Sequence, residues 1–227
     1  MNGKGEALYT GGAMPGSELN WIGAYIAADG GPSSYSAFIG DLFRYMSFLP
    51  DPGPAFDIAK FNWDRDYKRF GMMEGLYTGS NPDLRKFKAR GGKLLSYQGW
   101  ADQSVLPLNV IDYYDTVERL MGGRAKTQDF FRLFMIPGMA HCRRGPGADG
   151  FDPVEALEAW VEKGTAPAML MTHKMVKDQP YAGIPRLRFP LKREDYAWTR
   201  PDFAYPDVAA FSGRGDWRDA KNWRAKK

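Results

Sequence analysis

Two short apolar runs, "KLLSYQ" at 93–98 and "FFRLFMIPG" at 130–138, are each followed by an amphipathic segment with clear start and stop residues. This alternation constrains the fold more than any other feature of the chain. The first run follows a Gly-Gly turn and has the length and apolarity of a buried strand. From Leu108 to Met121, Val110, Ile111, Tyr114, Val117, Leu120 and Met121 recur at helical spacing, and Gly122-Gly123 ends the pattern. After the second run, "DPVEALEAWVEKG" predicts a helix with Asp152 as N-cap, Pro153 at the first position and Gly164 past the end. Val154, Leu157 and Val161 are expected to face inward. "AMLMTHKM" and "RLRFPL" are weaker strand candidates. Strand, helix, strand, helix at these intervals predicts an α/β fold, a parallel sheet with helices packed on its faces.

The upstream part differs in character. Residues 1–35 are rich in Gly, Pro and Ser and read as loop and extended packing, with a short helix predicted at "ELNWIGAYIA". "SAFIGDLFRYMSFL" predicts a helix stopped by "LPDPGPAFD", because the three prolines cannot continue one. "SNPDLRKFKARGG" predicts a helix with Ser80 or Asn81 as N-cap, Pro82 first and Gly91 beyond the end. No internal repeat is visible.

At 227 residues the chain has room for one domain with a sizeable core, or one domain plus a smaller cap. Its 44% hydrophobic content is that of a globular protein, and no run reaches the roughly 18 consecutive apolar residues of a membrane helix. A soluble chain without a membrane span is expected. The opening "MNGKGEALYTGGAMPGSE" has no apolar core of signal-peptide length. Net charge is +4, but in the basic tail "RGDWRDAKNWRAKK" acids interrupt the bases, which argues against a nucleic-acid partner. A single cysteine excludes an internal disulfide and a multi-cysteine zinc site. Read alone, Cys142 is a buried small hydrophobe about as often as anything else.

In open α/β sheets, reactive groups gather in the loops that leave the carboxyl ends of the strands. Asp102, in "YQGWADQSV", follows the first strand and His141, in "PGMAHC", follows the second. If the two strands are parallel neighbours, both side chains emerge at one edge. An acid and a histidine of a nucleophilic triad need that placement, and Asp before His is the α/β-hydrolase order. Each residue also has an ordinary reading: Asp102 as the cap of a helix starting near Ser104, His141 as a solvated loop residue. His173, in "LMTHKM", lies in a weak strand with no acid nearby and reads as structural or exposed.

The segments "NPDLRKFKARGGKLLSYQGWADQSVLPLNVIDYYDTVERLMGG", "DFFRLFMIPGMAHCRRGPG" and "ALEAWVEKGTAPAML" together resemble the C-terminal half of the tannase and feruloyl esterase family, which includes mono(hydroxyethyl) terephthalate hydrolases. "YTGGAMPGSELNW" is similar to the end of that family's lid region, and "RPDFAYPDVAAFSGRGDWRDAKNW" to its C-terminal stretch, so the resemblance covers nearly the whole chain. It implies a partial α/β-hydrolase parallel sheet with flanking helices. Residues 1–80 would be the end of a lid or cap-like region and 81–227 the C-terminal part of the catalytic domain. It further implies a serine esterase for aromatic, phenolic esters, with Asp102 as triad acid and His141 as general base, and without a cofactor. No Asp-x-Asp-x-Asp-Gly calcium loop is found, so no metal is expected. In the family the Cys after this His is bonded to a Cys directly before the nucleophilic Ser; Cys142 holds the first position and the second is absent. Phe203 and the "NWRAKK" tail stand where the family usually has C-terminal cysteines. Family members are often secreted or periplasmic.

None of the nine serines sits in a Gly-x-Ser-x-Gly-like elbow between strand and helix. Ser33, Ser34 and Ser36 lie in "GGPSSYSAF" with no apolar strand before them, Ser96 is inside the first strand, and Ser104 is in the turn after it. The expectation is an esterase portion whose Ser lies elsewhere, in an N-terminal half or another chain. The alternatives are a non-catalytic fold remnant acting as an interaction or binding module, and a small hydrolase using Ser104 or Cys142. The early aromatics Trp21, Tyr25, Tyr35, Phe38, Phe43 and Tyr45 either line a pocket for a flat acyl ring or pack as core. Trp21, Tyr25 and Trp100 are the pocket candidates. A parallel sheet without its earlier strands exposes one flank, which predicts self-association or a partner that covers the open edge.

Overall fold

Residues 4–6, 10–177 and 189–227 are described by the structure, a computed structural model. They divide into two units, one drawn from Met1–Thr10 and Leu19–Asn81, the other from Gly11–Glu18 and Pro82–Lys227.

In the first unit, helix α1 (Ser34–Tyr45) is started by Ser33, whose hydroxyl accepts a hydrogen bond from the Ser36 amide at 3.2 Å. A short helix, α2 (Gly71–Tyr77), lies further along. The core is aromatic: Phe43, Phe48 and Phe61 are buried, with Phe56, Ile58 and Phe70 packed around them. Phe43 meets Phe61 edge-on at 5.2 Å, and Phe48 stacks on Phe70 at 5.4 Å. The early aromatic stripe therefore divides, with Phe43 in the core and Phe38 68% exposed. The helix predicted at "ELNWIGAYIA" does not form. A 3-10 turn spans Ser17–Asn20, and the amides of Ala24, Tyr25 and Ile26 then all donate to the Trp21 carbonyl. Gly23, at φ +81°, turns the chain back where a helix would have to continue.

In the second unit, α3 (Arg85–Ala89) begins three residues later than predicted. Asp83 accepts from both the Arg85 amide (3.1 Å) and the Arg85 guanidinium (2.8 Å) in a turn just before the helix, and Leu84, not Ser80 or Asn81, stands at the N-cap, without a side-chain capping bond. Strand β1 (Leu94–Gly99) leads through α4 (Pro107–Met121) and α5 (Arg124–Gln128) to β2 (Phe131–Ile136). The two strands pair in parallel, with Leu94 opposite Phe131 and Gly99 opposite Ile136. Helix α4 buries Tyr114 and Val117 against Phe130, Phe131, Leu133 and Met135, and Gly122 at φ +89° ends it. Val110, Ile111 and Met121 join that core, whereas Leu120 is 48% exposed and lies outside the inward face.

Helix α6 (Pro153–Lys163) has the predicted caps: Asp152 accepts from the amides of Val154 and Glu155, and Gly164 is left-handed. Its inward face is rotated from the expected one. Val154 and Val161 are exposed, while Trp160 is 2% exposed and Ala156 packs on the core. Trp160 is the largest side chain on the helix, and its burial marks the face that packs inward.

Beyond α6, β3 (Met169–Met175) does not extend the parallel sheet. It pairs antiparallel with β4 (Tyr196–Phe203), and β5 (Val208–Phe211) pairs antiparallel with β6 (Trp223–Lys226). Of the candidate "RLRFPL", 186–188 lie outside the described residues and Phe189–Leu191 are not strand. The far edge of β2 is met by the end of β4, where the Tyr205 amide donates to the Leu133 carbonyl at 2.8 Å. Among the described residues β1 has a strand neighbour on one side only. No helix among them is long and apolar enough to cross a membrane.

Candidate active site

The loops that follow β1 and β2 are joined by their backbones. The Trp100 amide donates to the Ile136 carbonyl and the Ala101 amide to the Met139 carbonyl, each at 3.0 Å. Gly99 permits this approach, because a Cβ there would collide with the Met139 carbonyl. Asp102 and His141 are thereby brought to one rim, and His141 Nδ1 lies 3.1 Å from Asp102 Oδ2.

Asp102 is buried and saturated with partners. Its Oδ1 accepts from the amides of Ser104 (2.7 Å) and Val105 (2.9 Å), and its Oδ2 accepts from the Gln98 side-chain amide at 2.9 Å while facing the imidazole. The two readings of this residue are compatible: the carboxylate shapes its own turn with one oxygen and meets His141 with the other. The helix after that turn starts at Pro107, later than Ser104.

His141 is held by a loop wound around glycines. The Gly147 amide donates to the Gly138 carbonyl at 3.0 Å, and a Cβ on Gly147 would run into the Pro137 carbonyl. The buried Asp149 closes the loop by accepting from the amides of Arg144 (3.2 Å) and Met175 (3.0 Å), with Lys174 Nζ at 3.5 Å. Burial pushes the Asp149 carboxyl up from its ordinary range, against those same hydrogen bonds and the Lys174 charge. The His141 amide donates to Gln103 Oε1 at 3.3 Å. With Nδ1 turned to the carboxylate, Nε2 is the nitrogen left for proton transfer on a partly exposed ring.

Cys142 is exposed and free rather than a buried hydrophobe, because its loop turns there through the left-handed region at φ +62°, and its Sγ lies 3.9 Å from His141 Nδ1. Partial desolvation of its thiol, which the loop half covers although the residue is exposed, and then the charge of Asp102, push it above the usual thiol range. His173 is structural: its ring nitrogen is 3.2 Å from the Gly150 carbonyl, its ring meets Tyr196 edge-on, and burial lowers its pKa. Trp100 packs half-buried against the α4 core. Trp21 and Tyr25 belong to the first unit, where their rings meet edge-on at 5.9 Å. No group of three or more His, Cys, Asp or Glu able to hold a metal occurs among the described residues.

Gln98, Gln103 and Asp149 escaped the sequence reading. One signal existed for the first two: they bracket the acid, in "QGWADQ", at the end of an otherwise largely apolar strand.

The family model for tannase and feruloyl esterase matches residues 2–225. The chain belongs to the tannase and feruloyl esterase family. Over 96% of its length it is 33% identical to an uncharacterized esterase of Xanthomonas campestris pv. campestris, of which it spans 42%. Over 89% it is 32% identical to a mono(2-hydroxyethyl) terephthalate hydrolase of Piscinibacter sakaiensis, of which it spans 33%. The crystal structure of feruloyl esterase B from Aspergillus oryzae superposes with a TM-score of 0.76 at 26% identity, over 99% of this chain and 43% of that one. The fold is therefore of the α/β-hydrolase type, and the chain spans less than half the length of these tannase and feruloyl esterase relatives.

Proposed function

We propose that the chain supplies the acid and the base of a serine esterase acting on aromatic, phenolic esters, with the nucleophilic Ser contributed from outside these 227 residues. The 3.1 Å contact between His141 Nδ1 and Asp102 Oδ2 carries this reading. Family membership supports ester hydrolysis, and the names of the terephthalate and feruloyl relatives support an aromatic acyl group.

In this mechanism His141 Nε2 takes the proton of the Ser hydroxyl as its oxygen bonds to the ester carbonyl carbon. Asp102 holds the ring in the tautomer with a proton on Nδ1 and stabilises the imidazolium. His141 then gives the proton to the departing alcohol oxygen, leaving an acyl-enzyme, and water repeats the sequence to release the acid. Trp100, in the loop that leads to the acid, is the proposed contact for the substrate ring. The unpaired side of β1 is the proposed docking edge for the segment or chain that brings the nucleophile.

The test is an assay on a chromogenic aryl ester of the chain alone and joined to the preceding part of a family esterase. Activity only in the joined form, abolished by His141→Ala, is the expected result. Inactivity of both would favour a non-catalytic module, and activity of the chain alone, blocked by a serine-directed phosphonate or a thiol reagent, would favour Ser104 or Cys142 as nucleophile.

A further inference from the structure

We propose that Gln98 is a positioning residue for the acid and base pair, its side-chain amide fixing the charge and aim of Asp102 at the oxygen that faces His141. The inference rests on the roles proposed above for Asp102 and His141, and deepens them.

Gln98 is 8% exposed, at the penultimate position of β1, just before the loop that carries the acid. A buried amide is costly unless its hydrogens find acceptors. Here Nε2 lies 2.9 Å from Asp102 Oδ2 and 3.0 Å from the Val105 carbonyl. Both neighbours are acceptors, so only the nitrogen end of the amide fits between them. One donor thus ties strand, loop and carboxylate together.

The division of labour on the carboxylate gives Gln98 more than a stapling role. The Ser104 and Val105 amides hold Oδ1, which leaves the aim and charge of Oδ2 to Gln98. Oδ2 is the oxygen shared between Gln98 and the imidazole. Withdrawing the amide concentrates negative charge on Oδ2 and strengthens its grip on a protonated His141. Gln98 thereby tempers the hold of Oδ2 on the ring. Cys142 also lies against this ring, with Arg143 acting on that thiol in turn.

The chain has two histidines, so their ring protons can be followed by NMR and assigned with a His173→Asn variant. In Gln98→Met the titration midpoint of His141 is expected to rise by up to about one unit, the worth of one hydrogen bond, while that of His173 stays put. Gln98→Glu, which adds a second carboxylate, is expected to raise it further. In the unaltered chain the Gln98 side-chain amide protons are expected to shift with the His141 midpoint, a readout that needs no variant to fold. If those protons do not follow His141, or if a folded Gln98→Met leaves the midpoint unmoved, Gln98 is a structural staple and the inference is overturned. Asp102→Asn separates the two levels. It is expected to lower the His141 midpoint, and if it does not, the pairing of Asp102 with His141 fails and takes the Gln98 role with it.

Discussion

Asp102 and His141, which lie 39 residues apart in the chain, meet with Oδ2 and Nδ1 3.1 Å apart, and the carboxylate keeps two backbone amides on its other oxygen. Asp102→Asn preserves the shape of the group but presents the wrong partner to Nδ1. In the joined enzyme it is expected to lower kcat by about 10⁴-fold, the cost seen when a triad acid is replaced by its amide. Asp102→Ala also strands the Ser104, Val105 and Gln98 donors, and is expected to cost the chain roughly 2–4 kcal/mol in urea unfolding.

Gly99→Ala tests the junction of the two loops. The added methyl meets the Met139 carbonyl, and backbone cannot yield as a side-chain tip can. A loss of about 1–3 kcal/mol is expected, together with a changed His141 ring resonance as its loop is pushed aside.

The rotation of α6 can be read from three alanine variants. Trp160→Ala is expected to cost about 3–5 kcal/mol, whereas Val154→Ala and Val161→Ala each stay within about 0.5 kcal/mol. Equal losses at all three would contradict the face described here.

Asp202, on β4, is 5% exposed, and burial pushes its pKa to about 7 against the opposing charge of Arg200. The folded state thus holds a proton that the unfolded chain gives up near pH 4. Stability therefore falls as pH rises between those values, and above pH 7 the full penalty remains. Asp202→Asn is expected to raise the melting temperature at pH 8 and to make no difference below pH 4. A pH-independent gain would place the effect elsewhere than in the carboxyl.

The open side of β1 predicts concentration-dependent self-association of the chain alone, visible by light scattering. The Leu94 and Trp100 amides donate toward β2, so the Leu95 amide points the other way. Leu95→Pro is expected to block pairing at that edge while leaving the ladder to β2 intact. A monodisperse monomer at all concentrations would refute the expectation.

What the sequence made legible was local. Asp152, Gly164 and Gly122 act through bonds to neighbouring residues, so their roles could be read directly. The meeting of acid and base followed from parallel strands, whose loops leave on the same side. Other features depend on distant residues. Which face of α6 turns inward depends on what lies beneath Trp160, and the pairing of β3 with β4 crosses a stretch with no strand signal of its own. Gln98 looked like an ordinary polar residue because its acceptors become neighbours only when the loop after Gly99 folds back.

The backbone bonds from Trp100 and Ala101 to the loop of His141 hold Asp102 and His141 together within this chain, so the acid and base proposed above need no other fragment in order to meet. Reconstitution from two fragments would then be a docking event rather than a folding event. The appearance of activity should speed up in proportion to fragment concentration, with no slow concentration-independent lag.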